Sequence, residues 1–190
     1  MREYDAIFDW YVTERSSVIG LPQIEDLTRS LPTGARVLDL GCGTGIPIAQ
    51  FLIGAGFEVF GIDSSPKMIA SFRQQFPRAQ AACERIEESE FFGCTFDAVV
   101  SWGVMFHLDR AAQEKVIART AASLNENGRF LFTSGEEEGT VEGVMDGTTF
   151  RYISLGVDTY ARLLNENGLE LLDRRHDKAD NYVYLAGKRN

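Results

Sequence analysis

Three glycines at alternate positions, Gly41, Gly43 and Gly45, are the residues of this chain whose spacing has the clearest chemical meaning. They follow the apolar run 37–40, which contains one acid, Asp39. Because glycine lacks a side chain, the backbone can bend sharply there and a ligand can lie against it. A helical pattern follows at once, so the turn would present unpaired backbone N–H groups to a ligand. The spacing predicts a ligand-binding turn between a strand and a helix.

Two other glycine-rich turns would need different residues just after this segment. A dinucleotide-binding turn, Gly-x-Gly-x-x-Gly, would require glycine at position 46, where the chain has Ile46. A Walker-type phosphate loop would require Gly-Lys-Ser/Thr, and Ile46-Pro47-Ile48 supplies no lysine. A tight turn without any ligand is the remaining alternative.

Composition and charge narrow the classes of function. The 190 residues suffice for one domain with a substantial core. A net charge of −9 argues against binding to a nucleic-acid backbone, which requires clustered Lys and Arg. The first residues lack the apolar segment of a signal peptide, and no run approaches the ~18 apolar residues of a membrane span. We therefore expect a cytoplasmic protein without a nucleic-acid or membrane partner.

The three cysteines, Cys42, Cys83 and Cys94, are odd in number and widely spaced. They form no Cys-x-x-Cys or Cys/His zinc pattern, so we expect no bound metal. Three reduced thiols in a reducing compartment are the simplest interpretation.

Strand-like and helix-like segments alternate along the chain, which is typical of a parallel sheet with helices on both faces. Gly128 is expected to be the left-handed residue that closes a helix, and the glycine-rich segment 135–157 is expected to be a loop or a cover over the strand ends. The predicted strands are 36–40, 57–62, 79–82, 96–101, 129–134, 169–174 and 182–188. The predicted helices are 17–31, 46–54, one that starts at Pro66 after a Ser64 or Ser65 cap, 110–124 and 158–167.

The nine residues 37–45, Val-Leu-Asp-Leu-Gly-Cys-Gly-Thr-Gly, resemble the first motif of the class I S-adenosylmethionine-dependent methyltransferases. Every position matches that family's pattern of apolar-apolar-Asp-apolar-Gly-x-Gly-x-Gly. The resemblance implies an α/β fold with one Rossmann-like, doubly wound sheet of seven strands, mostly parallel, with one antiparallel strand near the C-terminus. It also implies a single domain over 1–190, with 1–30 as a helical cover. The implied cofactor is S-adenosylmethionine, with S-adenosylhomocysteine as product and no metal.

The resemblance further implies which residues hold the cofactor. Asp63, twenty positions after Gly43, would accept hydrogen bonds from the ribose hydroxyls, unless it only caps the next helix. The Glu84 carboxylate would accept a hydrogen bond from the adenine amino group, unless Glu84 is simply a solvated surface residue. Arg85 and Ile86 would lie along the adenine ring. The other expected cofactor contacts are Asp39, Gly41, Cys42, Gly43, Gly45, Ser64, Met68, Ser101 and Trp102.

Methyl transfer from a sulfonium is a direct displacement, for which a protein supplies orientation and excludes water. His107, just past the fourth predicted strand, is the candidate general base, with a structural role as the alternative. Trp10, Tyr11 and Tyr152 are candidate walls for the acceptor, although such aromatics also suit a core. Phe8, Tyr11 or Arg15 could in addition close over the site.

The sequence favours an S-adenosylmethionine-dependent methyltransferase that acts on a small molecule. The run 136–138, Glu-Glu-Glu, could attract a cationic acceptor or could be a solvated loop. The alternative functions are a non-catalytic S-adenosylmethionine- or S-adenosylhomocysteine-binding protein, acting as a sensor or assembly partner, and an enzyme that transfers another part of the cofactor. The sequence predicts no oligomeric state.

Overall fold

The computed structural model describes residues 2–14 and 18–189, and within them the chain folds around one large sheet. The strands are β1 (Arg36–Leu40), β2 (Glu58–Asp63), β3 (Gln80–Cys83), β4 (Phe96–Ser101), β5 (Leu124–Ser134), β6 (Glu138–Met145), β7 (Thr148–Leu155), β8 (Leu169–His176) and β9 (Tyr182–Lys188). The helices are α1 (Arg2–Ala6), α2 (Phe8–Glu14), α3 (Leu21–Thr28), α4 (Ile48–Gly54), α5 (Pro66–Gln75), α6 (Arg110–Ser123) and α7 (Val157–Glu166).

The large sheet has seven strands in the order β3-β2-β1-β4-β5-β9-β8. Strands β1 to β5 pair in parallel, and β9 is antiparallel to both of its neighbours, β5 and β8. The order reverses between β1 and β4, and ligands bind in open α/β sheets at such a switch point, beyond the carboxyl ends of the strands. The predicted seven-stranded sheet with one antiparallel strand is confirmed.

Helices cover both faces because alternate residues of the central strands point in opposite directions. Leu38 and Leu40 of β1 belong to a core that includes α6 and α7. Val37 of the same strand belongs to a second core that includes α3, α4 and α5. Both faces of the inner strands are therefore buried, as the apolar runs of a parallel sheet require.

Of the two expectations for 135–157, the loop is wrong, because β6 and β7 form a two-stranded antiparallel hairpin there, outside the large sheet and next to the carboxyl end of β5. Asp146 and Gly147 make its two-residue turn, with φ values of 45° and 73°. Two positive φ values in a row fit a type I′ turn, for which Asp-Gly is a favoured sequence. The Asp-Gly pair therefore indicates a hairpin locally, although the three glutamates and the many glycines of the segment favour a loop.

Smaller corrections concern the ends of elements. Asn127, with φ 61°, adopts the left-handed conformation that was expected of Gly128. Helix α6 ends at Ser123, and β5 already begins at Leu124. Helix α3 is shorter than the predicted 17–31, and residue 17 lies outside the described residues. No helix in the described part of the chain is long and apolar enough to cross a membrane.

Candidate cofactor-binding site

A cleft of about 770 Å³, its open mouth included, lies at the carboxyl ends of β1, β2 and β4. Its lining residues are Tyr4, Tyr11, Gly41, Gly43, Asp63, Ser64, Met68, Arg85, Ile86, Glu87, Trp102, Gly103, Val104, His107 and Leu108.

Gly41 and Gly43 meet different requirements within the turn. Both have positive φ, 72° and 54°, which favours glycine. A Cβ on Gly41 would overlap the Cγ2 methyl of Val104. A Cβ on Gly43 would project into the cleft, and the nearest atoms, Met68 Sδ and Tyr11 Oη, would both be 3.9 Å away. Gly41 is therefore needed for packing, whereas Gly43 leaves open space in which a ligand can approach the backbone.

Two other residues of the motif face the protein instead of the cleft. A Cβ on Gly45 would lie 2.6 Å from Phe76 Cε2, so this glycine lets the turn pack against aromatic rings at α5. Cys42 is buried, and its Sγ occupies the space above Gly61. Burial, reinforced by nearby carboxylates, raises the pKa of the Cys42 thiol well above its ordinary value, which disfavours the thiolate.

The Asp63 carboxylate connects the glycine turn to the next helix. The backbone N–H of Gly43 donates to Asp63 Oδ2 at 3.0 Å, and the N–H of Ser65 donates to Oδ1 at 2.8 Å. Burial raises the Asp63 pKa above its ordinary value, and these two N–H donors partly oppose the shift. Since an ionised carboxylate offers about four lone-pair sites, both oxygens can still accept hydrogen bonds from a ligand.

Helix α5 and helix α1 are joined beside this carboxylate. Ser65 caps α5, because its Oγ accepts a hydrogen bond from the Met68 N–H at 3.1 Å. The same hydroxyl donates to the Asp5 carboxylate, and Lys67 Nζ donates to the Asp5 carbonyl at 2.9 Å. These contacts hold α1 next to the cleft, where Tyr4 forms part of the wall.

The wall beyond β3 presents a different acid from the one expected. Glu84 is exposed and does not line the cleft, although its backbone N–H donates to the Asp63 carbonyl at 3.0 Å. Glu87 does line the cleft, its side chain is 9% exposed, and it forms an ion pair with Arg85. Ile86, also in the wall, is buried. The chain turns after β3, so an acid three positions later reaches the cleft.

Of the other residues predicted to contact the cofactor, some line the cleft and some are buried behind its wall. Ser64, Met68 and Trp102 line the cleft. Trp102 is buried and also packs under Gly20, where a Cβ would lie 2.8 Å from its Cδ2. Asp39 and Ser101 are buried at the ends of β1 and β4 and do not line the cleft. Ser101 Oγ has no hydrogen-bond partner within the described part of the chain.

An aromatic cover lies over one side of the cleft, on residues far apart in sequence. Tyr4 Oη and His107 Nε2 share a hydrogen bond of 3.0 Å. The Tyr4 ring lies 5.1 Å from the Phe150 ring, and the His107 ring lies 5.1 Å from the Tyr152 ring, measured between centroids. Helix α1 and the β6–β7 hairpin thus meet at His107, which places this histidine at the edge of the cleft.

The three predicted acceptor-binding residues have different environments. Tyr11 lines the cleft, with its hydroxyl toward Gly43. Tyr152 faces a neighbouring cavity on the other side of Phe106. Trp10 is 37% exposed and lines neither space. Arg15, another candidate for closing the site, lies outside the described residues.

Five lining residues were missing from the sequence prediction: Tyr4, Glu87, Gly103, Val104 and Leu108. Gly103 and Val104 directly follow Trp102, so their position after β4 was a usable signal. Tyr4 and Glu87 carry no comparable signal, because each reaches the cleft through the packing of a non-adjacent segment.

The fold and the cleft together define a class of protein, an α/β domain that binds a nucleoside-type ligand between a glycine turn and an acid at the end of β2. Residues 37–128 match the family model described as a methyltransferase domain. This match, over just under half of the chain, confirms the resemblance of the motif to the class I S-adenosylmethionine-dependent methyltransferases.

Known relatives cover parts of the chain. It is 36% identical over 117 residues to the aklanonic acid methyltransferase DauC of Streptomyces sp. strain C5, covering 54% of this chain and 49% of the relative. It is 31% identical over 134 residues to the ribosomal RNA small subunit methyltransferase C of Chromohalobacter salexigens, covering 62% of this chain and 39% of the relative. The chain therefore spans less than half the length of these two relatives.

The fold itself matches solved structures over nearly its whole length. One is the amino pentose methyltransferase CalS10 of Micromonospora echinaspora, solved with S-adenosylmethionine bound, which superposes with a TM-score of 0.76. The match covers 98% of this chain and 96% of that one at 17% sequence identity, so it supports the fold alone.

Proposed function

We propose that this protein is an S-adenosylmethionine-dependent methyltransferase acting on a small molecule. The observation that carries the proposal is the meeting of two features in one cleft: the open space above Gly43 and the half-buried Asp63 carboxylate. The first admits a ligand to the backbone, and the second supplies charged acceptors for a pair of hydroxyls.

The residues of the cleft fit the parts of S-adenosylmethionine. Asp63 is suited to the ribose hydroxyls, and the glycine turn to the methionine portion. On the far wall, apolar Ile86 and Leu108 are suited to the adenine faces, and the mostly buried Glu87 carboxylate is a better-placed acceptor for its amino group than the exposed Glu84. The cleft thus combines a few convergent polar groups with apolar walls, as ligand sites do.

S-adenosylmethionine, when bound, supplies a methyl group already activated on a sulfonium. The protein then has to orient the acceptor, exclude water and, for some acceptors, remove a proton. We propose that Tyr4, Tyr11 and the aromatic cover exclude water, and that His107 is the candidate general base. His107 lies at the cleft edge, and Tyr4 holds its Nε2.

We further propose that the whole chain acts as one unit, with the N-terminal helices as part of its cover. The Ser65–Asp5 and Tyr4–His107 contacts support this arrangement. A small-molecule acceptor is supported by the net charge of −9 and by relatives such as the aklanonic acid methyltransferase. The number and spacing of the cysteines support a reducing, cytoplasmic location.

The test is calorimetric titration with S-adenosylmethionine and S-adenosylhomocysteine, on the wild type and on Asp63→Ala. Removing a charged acceptor should cost about 1.5–3 kcal/mol of binding free energy, or roughly ten- to hundredfold in affinity.

Asp97→Ala is the matched control, because the Asp97 carboxylate also accepts two hydrogen bonds at 2.9 Å, from the Arg36 N–H and Asn125 Nδ2, but belongs to no part of the cleft. It should bind like the wild type. Equal losses in both variants, or no binding by the folded wild type, would contradict the proposal. Binding without methylation of any tested acceptor would favour a sensor.

A further inference from the structure

A second cavity lies next to the cofactor cleft, at the carboxyl end of β5 and beneath the β6–β7 hairpin. It measures about 1140 Å³ with its open mouth included. Phe106 and Tyr152 separate the two spaces: both line the second cavity, their ring centroids are 5.5 Å apart, and Tyr152 also contacts His107 of the cleft. A molecule in this cavity would therefore adjoin the place where methyl transfer is proposed.

The charges of this second cavity are all of one sign. Its described lining residues include the acids Glu137, Glu138 and Asp180, but no Lys or Arg. Arg110 pairs with Glu138 at 2.6 Å, and His176 Nδ1 pairs with Asp180 at 2.9 Å. Glu137 has no hydrogen-bond or ion-pair partner among the described residues. One carboxylate at the cavity is thus left unneutralised.

A tyrosine hydroxyl without a described protein partner faces the same space. Tyr182 is only 7% exposed and lines the cavity, yet its hydroxyl has no hydrogen-bond partner within residues 2–14 and 18–189. Its ring is held by its neighbours, with the His176 centroid at 4.8 Å and the Tyr184 centroid at 5.1 Å. A hydroxyl held in this position, with no partner in the described part of the chain, is free to donate a hydrogen bond to a ligand in the cavity or to accept one from it.

The aromatic rings add a preference for a particular kind of ligand. Phe106, Tyr152 and Tyr182 all line the cavity. Aromatic faces attract cations as well as apolar groups, and the attraction strengthens where water is excluded. A free carboxylate, a free hydroxyl and several rings together match an ammonium group carried on an apolar body.

We propose that the second cavity binds the methyl acceptor and that the acceptor is an amine with an apolar body, held at its ammonium by Glu137 and Tyr182. The assignment of this molecule as the acceptor rests on the proposed methyltransferase function. A protonated amine has no lone pair with which to attack a methyl group. The bound ammonium therefore anchors the acceptor, whose body would extend past the Phe106–Tyr152 pair to the His107 side. There a different atom of the acceptor, one with a lone pair, would take the methyl group as the carbon–sulfur bond of the sulfonium breaks. S-adenosylhomocysteine would be the leaving group, and His107 would take the proton that the acceptor atom loses.

The experiment measures binding of three probes with the same phenylpropyl carbon skeleton, with S-adenosylhomocysteine present: cationic 3-phenylpropan-1-ammonium, neutral 3-phenylpropan-1-ol and anionic 3-phenylpropanoate. The cation should bind about tenfold or more tighter than the alcohol, and the anion should bind weakest. Glu137→Gln should weaken cation binding about fivefold and leave the alcohol unaffected. Tyr182→Phe keeps the ring and should weaken the cation about two- to fivefold.

Glu142→Gln is the control, because Glu142 is an exposed carboxylate of the same hairpin that does not line the cavity. If it weakens cation binding as much as Glu137→Gln does, the effect is general surface charge and the inference is overturned. It is also overturned if the alcohol binds as tightly as the cation.

Separate titration with S-adenosylhomocysteine distinguishes the two proposals. Cation binding that depends on Glu137, without S-adenosylhomocysteine binding, would uphold the cation site and refute the methyltransferase proposal. The reverse result would leave the methyltransferase proposal standing and refute the cation site.

Discussion

The two sides of the candidate site are built in different ways. On the glycine side, backbone groups make the key contacts, with the Gly41 N–H donating to the Ile62 carbonyl at 2.7 Å and the Gly43 N–H to Asp63 Oδ2 at 3.0 Å. On the cover side, side chains make them, and the Tyr4–His107 hydrogen bond joins residues 103 positions apart. The first side is therefore defined by backbone geometry, and the second by the packing of partly buried rings.

This difference predicts which side of the site tolerates substitution. The glycine side leaves little freedom, because positive φ values and close backbone contacts exclude most residues. Side-chain contacts between a helix and a hairpin can be replaced without disturbing the sheet, so the cover is the part that can adapt to one acceptor. The two sides should accordingly respond differently to substitution.

The largest effect is expected for Gly41→Ala. The new Cβ would overlap Val104 in addition to the strain of φ 72°, so we expect loss of stability of about 2–4 kcal/mol and no measurable S-adenosylhomocysteine binding. Thermal unfolding and calorimetry measure both. Gly34→Ala is the control, with φ 70° but no described atom within 4 Å of its Cβ, and should cost only about 1–2 kcal/mol with binding intact. Equal behaviour of the two variants would show that the turn is not sterically specified.

A smaller effect is expected for Tyr4→Phe on the cover side. The variant keeps the ring contact with Phe150 but loses the hydrogen bond to His107. One such bond is worth about 1 kcal/mol, so turnover should fall about fivefold while S-adenosylhomocysteine affinity stays within about twofold. Tyr184→Phe is the control, because it removes the hydrogen bond from a sheet tyrosine to the Gly135 carbonyl. It should lower stability without lowering turnover selectively over S-adenosylhomocysteine affinity. If affinity for S-adenosylhomocysteine falls as much as turnover, Tyr4 acts in cofactor binding and not as part of the aromatic cover.

The smallest effect is a dependence of cofactor affinity on pH. The Asp63 pKa is raised above its ordinary value, chiefly by burial, so the ionised carboxylate carries a stability cost at neutral pH that disappears as pH falls through this pKa. The same protonation removes the negative charge offered to the ribose. Affinity for S-adenosylhomocysteine should therefore weaken as the pH is lowered through this raised pKa, and Asp63→Asn should show a flatter profile. Parallel profiles would assign the dependence to another group.

The sequence was sufficient wherever the determinants were local. The turn follows from nine consecutive residues, and Asp63 from the end of the next apolar strand. The hairpin was also encoded locally, in Asp146-Gly147, and was missed because the glycines and glutamates around it favoured a loop. Asp39, Cys42 and Gly45 belong to the motif but do not line the cleft, because each is packed against the protein: Asp39 is buried at the end of β1, Cys42 lies against Gly61, and Gly45 lies against Phe76.

The sequence by itself determined the sheet, the glycine turn and the acid beside it, because the backbone constraints on each are satisfied within a short segment. Only the tertiary structure decided which residues complete the site. Glu87 replaces Glu84 at the wall because the chain turns after β3, and Tyr4 meets His107 only when α1 packs beside α5. The second cavity depends in the same way on the hairpin, β5 and the turn before β9, which are brought together by folding and not by any spacing along the chain.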